Sequence, residues 1–136
     1  MAATIRQATS EDLDYLVPLF DAYRQFYGQS SDVNRARQFL SDRISRGESI
    51  VLIAEDQART AIGFVQLYPS FSSILAAPMH VLSDLFVIPE ARRRGVGTSL
   101  LQSAVETARA AGVARVELAT AMSNVPAQRL YEKLGW

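Results

Sequence analysis

The chain has 136 residues, of which 49% are hydrophobic, and its 14 basic residues balance its 14 acidic ones. This size and composition predict one globular domain over residues 1–136, and the balanced charge gives no general attraction to nucleic acid or to an anionic membrane. The sequence has no cysteine and one histidine, His80. This excludes a thiol nucleophile and makes a histidine-based metal site or a Ser-His-Asp triad implausible, so we expect no metal and place His80 at the surface.

The composition also bears on location. No apolar run approaches the roughly 20 residues that a helix needs to cross a bilayer. The first residues do not have the charged and apolar regions of a secretory signal. From these two observations we expect a cytoplasmic protein.

The first part of the chain predicts a strand, two helices and a hairpin. The first strand covers Thr4–Ala8. A helix capped by Thr9 or Ser10, with Glu11 and Asp12 in its first turn, is predicted to run to about Phe26, and a second helix is predicted over about Asp32–Ser45. The runs Ile50–Ala54 and Ile62–Tyr68 are rich in β-branched and aromatic residues and are separated by a polar turn. They are expected to pair as an antiparallel hairpin.

The second part predicts a parallel strand–helix–strand unit. A Ser-rich loop, Pro69–Pro78, precedes a strand over Val81–Ile88, and a helix beginning near Ser99 leads to another strand over Val113–Thr120. A last helix follows Asn124. The predicted order is β-α-α-β-β-β-α-β-α, with a sheet that is partly antiparallel and partly parallel. This is a mixed α/β (α+β) class, unlike a doubly wound fold.

The turn at Arg92–Thr98, with the sequence Arg-Arg-Arg-Gly-Val-Gly-Thr, lies between a predicted strand and a predicted helix. The first amides of a helix have no intrahelical acceptor and attract anions, and glycines allow a phosphate to approach the backbone. The pattern lacks the Gly-Lys-Ser/Thr of the Walker loop and the full Gly-x-Gly-x-x-Gly of dinucleotide folds. It is consistent with a pyrophosphate site, although an arginine run is also typical of a solvated turn.

A second motif makes the pattern more specific. Asp84–Thr98 contains Leu-x-Val-x-Pro followed by Arg-x-x-Gly-x-Gly, and Asn124–Trp136 reads Asn-x-x-Ala-x-x-Leu-Tyr-x-x-x-Gly-Trp. Together they resemble the acetyl-CoA signature and the closing helix of the GCN5-related N-acetyltransferases (GNAT). The resemblance covers nearly the whole chain. It implies the GNAT fold, N-acetyltransferase activity and acetyl-CoA as a co-substrate.

The resemblance also implies a cofactor site. The backbone amides from Arg93 to Thr98 would receive the pyrophosphate. The backbone of the strand before this turn would pair with the pantetheine arm, and the start of the last predicted helix, at Asn124, would lie beside that arm. Arg92 would either reach a phosphate or stay solvated. The predicted cofactor-binding residues are Leu85, Phe86, Val87, Arg92, Arg93, Arg94, Gly95, Val96, Gly97, Thr98, Asn124 and Ala127.

Two residues are predicted to be catalytic. In the family the amine attacks the thioester directly, so that the enzyme needs a proton acceptor for the amine and a proton donor for the departing thiolate. Tyr131 is the candidate acid, because a phenol has a suitable pKa, although it could be a helix aromatic alone. Asp84 is the candidate base. Related diamine and polyamine enzymes carry Glu-Asp at this point where this chain has Ser83-Asp84, so Asp84 could instead be structural.

The acceptor is predicted to be a small amine. The first two helices and the Ser-rich loop would cover the acceptor side, and aromatic rings with carboxylates suit a cation. The residues concerned are Tyr23, Phe26, Tyr27, Tyr68, Phe71, Asp21 and Asp32. The stretch around Tyr68-Pro69 resembles the diamine and polyamine acetyltransferase branch. A protein N-terminus or an amino acid as acceptor, and a non-catalytic acyl-CoA-sensing module, are the alternatives.

The end of the chain gives a last expectation. Family members continue beyond the Gly-aromatic pair with one or two strands, whereas this chain ends at Trp136. We therefore expect the C-terminal strands to be missing, with a sheet edge near Val113–Thr120 exposed or paired with another chain. By resemblance, we also expect a homodimer.

Overall fold

A computed structural model describes residues 3–119, which form one five-stranded sheet with helices on both faces. Short 3₁₀ turns at Ser10–Asp12 and Pro89–Ala91 precede α1 and α3. Within the described residues, no helix is long and apolar enough to cross a membrane. The helices and strands are β1 (Thr4–Gln7), α1 (Leu13–Phe26), α2 (Val33–Ser45), β2 (Ile50–Glu55), β3 (Ala61–Ser72), β4 (Ala77–Val87), α3 (Val96–Ala110) and β5 (Val116–Leu118).

The sheet is mixed, as predicted. Its strands lie in the order β1-β2-β3-β4-β5; the first three pairings are antiparallel and β4–β5 is parallel. The parallel pair is connected through α3, because two parallel neighbours need a crossover that returns the chain to the same end of the sheet. The predicted mixed α/β class and the element order through β5 are confirmed. The last predicted helix lies outside the described residues.

The hairpin between β3 and β4 is longer than predicted. The expected loop over Pro69–Pro78 is wrong, since paired strand extends to Ser72 and resumes at Ala77. A proline normally ends a central strand because it has no N–H. Here β2 pairs with β3 only as far as Leu67, so Pro69 lies where that edge is open and its missing N–H breaks no pairing.

His80 is buried, with 3% of its surface exposed, so its predicted surface position is wrong. It pairs with Pro69 of β3 on one side and with Val116 of β5 on the other. His80 thus lies on a strand that has a neighbour on each side. A single histidine in the sequence does not reveal that its strand will be internal to the sheet.

A β-bulge in β4 changes which face its side chains occupy. Gln66 pairs with Asp84 and Leu67 with Leu82, so Ser83 is an extra residue on β4. Leu82 consequently packs in the core beneath α3, whereas Phe86 packs in the core beneath α1 and α2. Residues four apart in a regular strand share a face, so the bulge is what turns Asp84 and Phe86 toward α1.

Candidate active site

Asp84 lies where β3, β4 and α1 meet. Its Oδ1 accepts a hydrogen bond of 2.7 Å from the Tyr23 hydroxyl, and its Oδ2 accepts one of 2.8 Å from Gln66 Nε2. Tyr23 comes from α1, and Gln66 is the residue opposite Asp84 in the β3–β4 register. The structure therefore places the predicted base in a polar cluster between the sheet and the helix that the sequence assigned to the acceptor side.

The surroundings of Asp84 make it a stronger base than an exposed aspartate. Burial raises the pKa of its carboxyl, while the hydrogen bonds from Tyr23 and Gln66 lower it; the net direction is upward. The pKa of Tyr68 is also raised, first by burial and then by the negative charge of Asp84, with Arg43 acting in the opposite direction. A carboxylate with a raised pKa is suited to accept a proton near neutral pH.

Aromatic rings extend from the sheet core to the surface beside Asp84. The Tyr23 ring lies edge-on to Phe64, with centroids 5.5 Å apart, and edge-on to Tyr27 at 5.1 Å. Phe26 lies 6.4 Å from Phe86, whose ring is 6.1 Å from that of Tyr23. These rings could form one wall of a binding site for an organic cation, since aromatic faces attract positive charge.

The other residues predicted for the acceptor side have different positions. Phe71 is 80% exposed near the tip of the β3–β4 hairpin. Asp21 is buried and accepts hydrogen bonds from the Ser31 hydroxyl and the Asp32 amide, so it holds the connection between α1 and α2. Asp32 caps α2 through the amide of Arg35. The two carboxylates thus stabilise local structure, and Asp84 is the carboxylate that lies beside the aromatic rings.

The turn at Arg92–Thr98, called the glycine loop below, has the geometry of an anion site. Gly95 is the N-cap of α3 with φ +79°, and a Cβ built there would lie more than 4 Å from every described heavy atom other than those of its chain neighbours. The first intrahelical bond of α3 runs from the Ser99 amide to the Gly95 carbonyl, and no side chain of the described residues caps the helix. The amides of Val96, Gly97 and Thr98 therefore have no intrahelical acceptor. The open space at Gly95 and these amides fit a pyrophosphate.

The strand before the loop has an open edge. Within the described residues β5 pairs only with His80–Leu82, so the β4 edge from Ser83 to Val87 faces no strand there. The Ile88 amide donates to the Ile62 carbonyl of β3. Because successive residues of a strand direct their backbone groups to opposite sides, Leu85 and Val87 present theirs at the open edge, and those of Phe86 face β3.

Arg92 folds back onto β4. Its Nε donates to the Val87 carbonyl at 2.9 Å, and its guanidinium lies 5.8 Å from the Phe26 ring centroid and 5.7 Å from that of Phe86. The side chain thereby links the end of α1 to the start of the glycine loop. The sequence predicted that Arg92 would either contact a phosphate or be solvated, and the position of Arg92 on β4 was not predicted. The phosphate contact stays a prediction.

Several predicted residues cannot be placed in the site. Asn124, Ala127 and Tyr131 lie outside the described residues, so their predicted roles stay predictions. Conversely, Gln66 belongs to the site but was not predicted from the sequence. Its side chain is fully buried, and the available signal was a single polar residue within the apolar run of β3. Over residues 3–119, no cluster of three or more His, Asp or Glu side chains could hold a metal ion.

Comparison with known proteins gives consistent matches. The family model described as Acetyltransferase (GNAT) family matches residues 14–136. A Bacillus subtilis protein named uncharacterized N-acetyltransferase YhfO is 44% identical over 132 residues, covering 97% of this chain and 88% of its own length. A crystal structure of a probable acetyltransferase has a TM-score of 0.91 and 43% identity, covering 98% of this chain and 89% of that one.

A third relative has a named acceptor. The L-ornithine N5-acetyltransferase NATA1 of Arabidopsis thaliana is 37% identical over 73 residues, which cover 54% of this chain and 32% of that protein.

Proposed function

The chain belongs to the acetyltransferase (GNAT) family and is an N-acetyltransferase, and we propose that it transfers an acetyl group from acetyl-CoA directly to the primary amine of a small molecule. A diamine, a polyamine or an amino acid is the proposed acceptor. One observation carries the proposal: Asp84, a carboxylate with a raised pKa, lies beside a cluster of aromatic rings.

The donor would be held mainly by backbone groups. The amides from Arg93 to Thr98 would bind its pyrophosphate, and the open edge at Leu85 and Val87 would pair with its pantetheine amides. The Val87 carbonyl already accepts a hydrogen bond from the Arg92 Nε, so a pantetheine amide would either share that oxygen or displace Arg92 from it. Acetyl-CoA supplies the acetyl thioester to this site.

Asp84 would accept the proton that makes the amine nucleophilic. A protonated amine gives one proton to the Asp84 carboxylate, and its nitrogen then forms a C–N bond with the thioester carbonyl carbon as the C–S bond breaks. The thiolate takes up one proton from Tyr131, the proposed donor, and the second proton that leaves the nitrogen restores the Tyr131 hydroxyl through solvent. The net products are the amide, the free thiol and one proton released to solvent.

The proposed acceptor class follows from charge and shape. A cationic amine would be attracted to the Asp84 carboxylate and to the faces of Tyr23, Phe26 and Phe86. The ornithine acetyltransferase relative supports a small diamine-like acceptor, because its named substrate carries two amino groups. A peptide N-terminus is the alternative acceptor, and a non-catalytic acyl-CoA sensor is the alternative function.

Thiol release measures this activity directly. The protein would be mixed with acetyl-CoA and a panel of diamines, polyamines, amino acids and short peptides with free N-termini. We expect turnover with at least one small amine and a large loss of turnover in Asp84→Asn. Turnover with peptides alone would favour the alternative acceptor. Binding of acetyl-CoA without turnover across the panel would favour the sensor, and no binding would contradict the proposal.

A further inference from the structure

Two donors from different elements hold both oxygens of the Asp84 carboxylate. The Tyr23 hydroxyl of α1 is 61 residues away in sequence, and the Gln66 side chain of β3 is 18 residues away. The O–H···O distance of 2.7 Å is that of a well-formed hydrogen bond. The Gln66 Nε2 group can only donate, so this arrangement matches an ionised Asp84 better than a protonated one.

Packing fixes both donors in place. The Tyr23 ring is held between Phe64, Tyr27 and Phe86, with centroid distances of 5.5, 5.1 and 6.1 Å. Gln66 has no exposed surface, and its Oε1 has no partner within the described part of the chain. A buried polar atom without a partner is destabilising, so an apolar side chain would suit this position better if packing were its only role. The one hydrogen bond that the Gln66 amide makes is its donation to Asp84 among the described residues, which points to a role at the carboxylate.

We propose that Tyr23 and Gln66 are positioning residues, which orient the Asp84 carboxylate toward the acceptor amine and keep it ionised at neutral pH. The inference rests on the proposed role of Asp84 as the proton acceptor. Each Asp84 oxygen accepts one of these hydrogen bonds and has a second lone pair, which would accept a hydrogen bond from an ammonium group. Tyr23 and Gln66 thus limit the increase in the pKa of Asp84 that burial causes, and the carboxylate is still able to take a proton.

Other charged and titratable groups among the described residues lie near Asp84. Tyr68 of β3 faces it closely enough for the Asp84 charge to affect the pKa of Tyr68, and Arg43 acts on the same phenol. Arg92 lies over the ring of Phe86, the second residue after Asp84. These groups are the same in every variant proposed below, so a difference between variants reports the two hydrogen bonds.

Carbon-13 NMR of the Asp84 carboxyl tests the inference without any acceptor. The signal is assigned by its absence in Asp84→Asn and is followed through a pH titration of the intact protein. In Tyr23→Phe and in Gln66→Met we expect the midpoint to move upward by about one pH unit, because each loses a hydrogen bond to the charged form. The double variant should move further. Tyr15→Phe, an exposed tyrosine of the same helix, should leave the midpoint unchanged.

Kinetics supply a second measurement with the best acceptor of the panel. The acid limb of kcat/KM should move upward in Tyr23→Phe and Gln66→Met as the NMR midpoint does, while the KM for acetyl-CoA stays within about twofold. If either variant fails to fold, the other provides the same test.

The outcomes separate the two proposals. An unchanged Asp84 midpoint in both variants would overturn the positioning role and leave the donors as packing contacts between α1 and the sheet, with the proposed function unaffected. A shifted midpoint together with full turnover by Asp84→Asn would overturn the role of Asp84, and the positioning role with it.

Discussion

Asp84 faces Gln66 directly across the β3–β4 pair, one residue after the point where the register shifts. The extra residue of the bulge, Ser83, rotates the following part of β4, so that Asp84 points to the α1 face although Leu82 points to the α3 face. The hydrogen bond from Gln66 Nε2 to Asp84 Oδ2, at 2.8 Å, connects the two strands at this point. The bulge therefore positions the candidate base.

Replacing Asp84 by asparagine should separate activity from stability. We expect kcat to fall by roughly 10²- to 10⁴-fold, the usual contribution of a general base. The free energy of unfolding should stay the same or rise by about 0.5–2 kcal/mol, because the raised pKa means that folding disfavours the charged form at neutral pH. Thiol release and urea unfolding measure the two effects. A strongly destabilised variant would show that Asp84 is primarily a structural residue.

Tyr131→Phe should lower turnover more than donor affinity. The phenol is proposed to protonate the leaving thiolate, an interaction made only as the C–S bond breaks, so we expect kcat to fall by about 10²-fold with a nearly unchanged KM for acetyl-CoA. Steady-state kinetics at saturating acceptor provide the measurement. Unchanged turnover would remove Tyr131 as the acid.

Gly95→Ala should weaken acetyl-CoA binding. Apart from its chain neighbours, a Cβ at this position would meet no atom of residues 3–119 within 4 Å, and we expect it to occupy part of the space proposed for the pyrophosphate. We expect the KM for acetyl-CoA to rise by about tenfold or more, because displacing the pyrophosphate would cost at least one hydrogen bond between a loop amide and a charged oxygen.

Gly47→Ala is the matched control for this substitution. Gly47 also has a positive φ, +65°, and also has open space at its Cβ, but it lies at the end of α2. The same backbone strain of about 1 kcal/mol should lower stability in both variants, whereas the KM should change only in Gly95→Ala. Equal KM values in the two variants would contradict the assignment of the loop.

Gly63→Ala should destabilise the sheet beneath the site. A Cβ there would lie 2.9 Å from the Phe86 carbonyl oxygen, and 3.3 Å from side-chain atoms of Leu100 and Val87. The first of these contacts is with backbone, which cannot move away without disturbing β4. We expect a loss of about 1–3 kcal/mol in the free energy of unfolding, measured in urea. A change below about 0.5 kcal/mol would show that β4 can shift easily at Phe86.

His80 should make stability depend on pH below neutrality. Burial lowers its pKa from the ordinary value of 6.5, so the unfolded chain binds the proton more readily. The contribution of neutral His80 is therefore complete above pH 6.5 and is lost as the pH falls through the lower pKa of the folded state. Between pH 7.5 and 5.5, Tm should fall by a few degrees more in the wild type than in His80→Leu.

The described carboxylates with shifted pKa values do not obscure the comparison of wild type with His80→Leu. Hydrogen bonds from Arg6 lower the pKa of Asp12, and those from the Ser31 hydroxyl and the Asp32 amide lower that of Asp21, so their contributions are lost only below the ordinary value of 3.8. Asp84 acts in the opposite direction to His80, but it is present in both proteins and cancels. Equal Tm changes in the two proteins would show that His80 is not the group responsible.

Much of the fold could be predicted because its signals are local. Helical spacing of apolar residues gave α1 and α2 nearly as observed, and a glycine between a strand and a helix marked Gly95, which has the positive φ that glycine allows in a turn. The failures were long-range. Pro69 and the serines near it predicted a loop, and only the open edge beside β3 explains why they lie in a strand.

The sequence by itself determined the order of the elements through β5, the glycine-containing turn after β4 and the presence of an aspartate before it, because backbone preference and side-chain periodicity depend on neighbouring residues. Only the tertiary structure decided what Asp84 contacts. In a regular strand Leu82 and Asp84 would share a face, and the register shift at Ser83 reverses that. The hydrogen bond from Tyr23 then joins residues 61 positions apart, and such a contact depends on how α1 packs against the sheet.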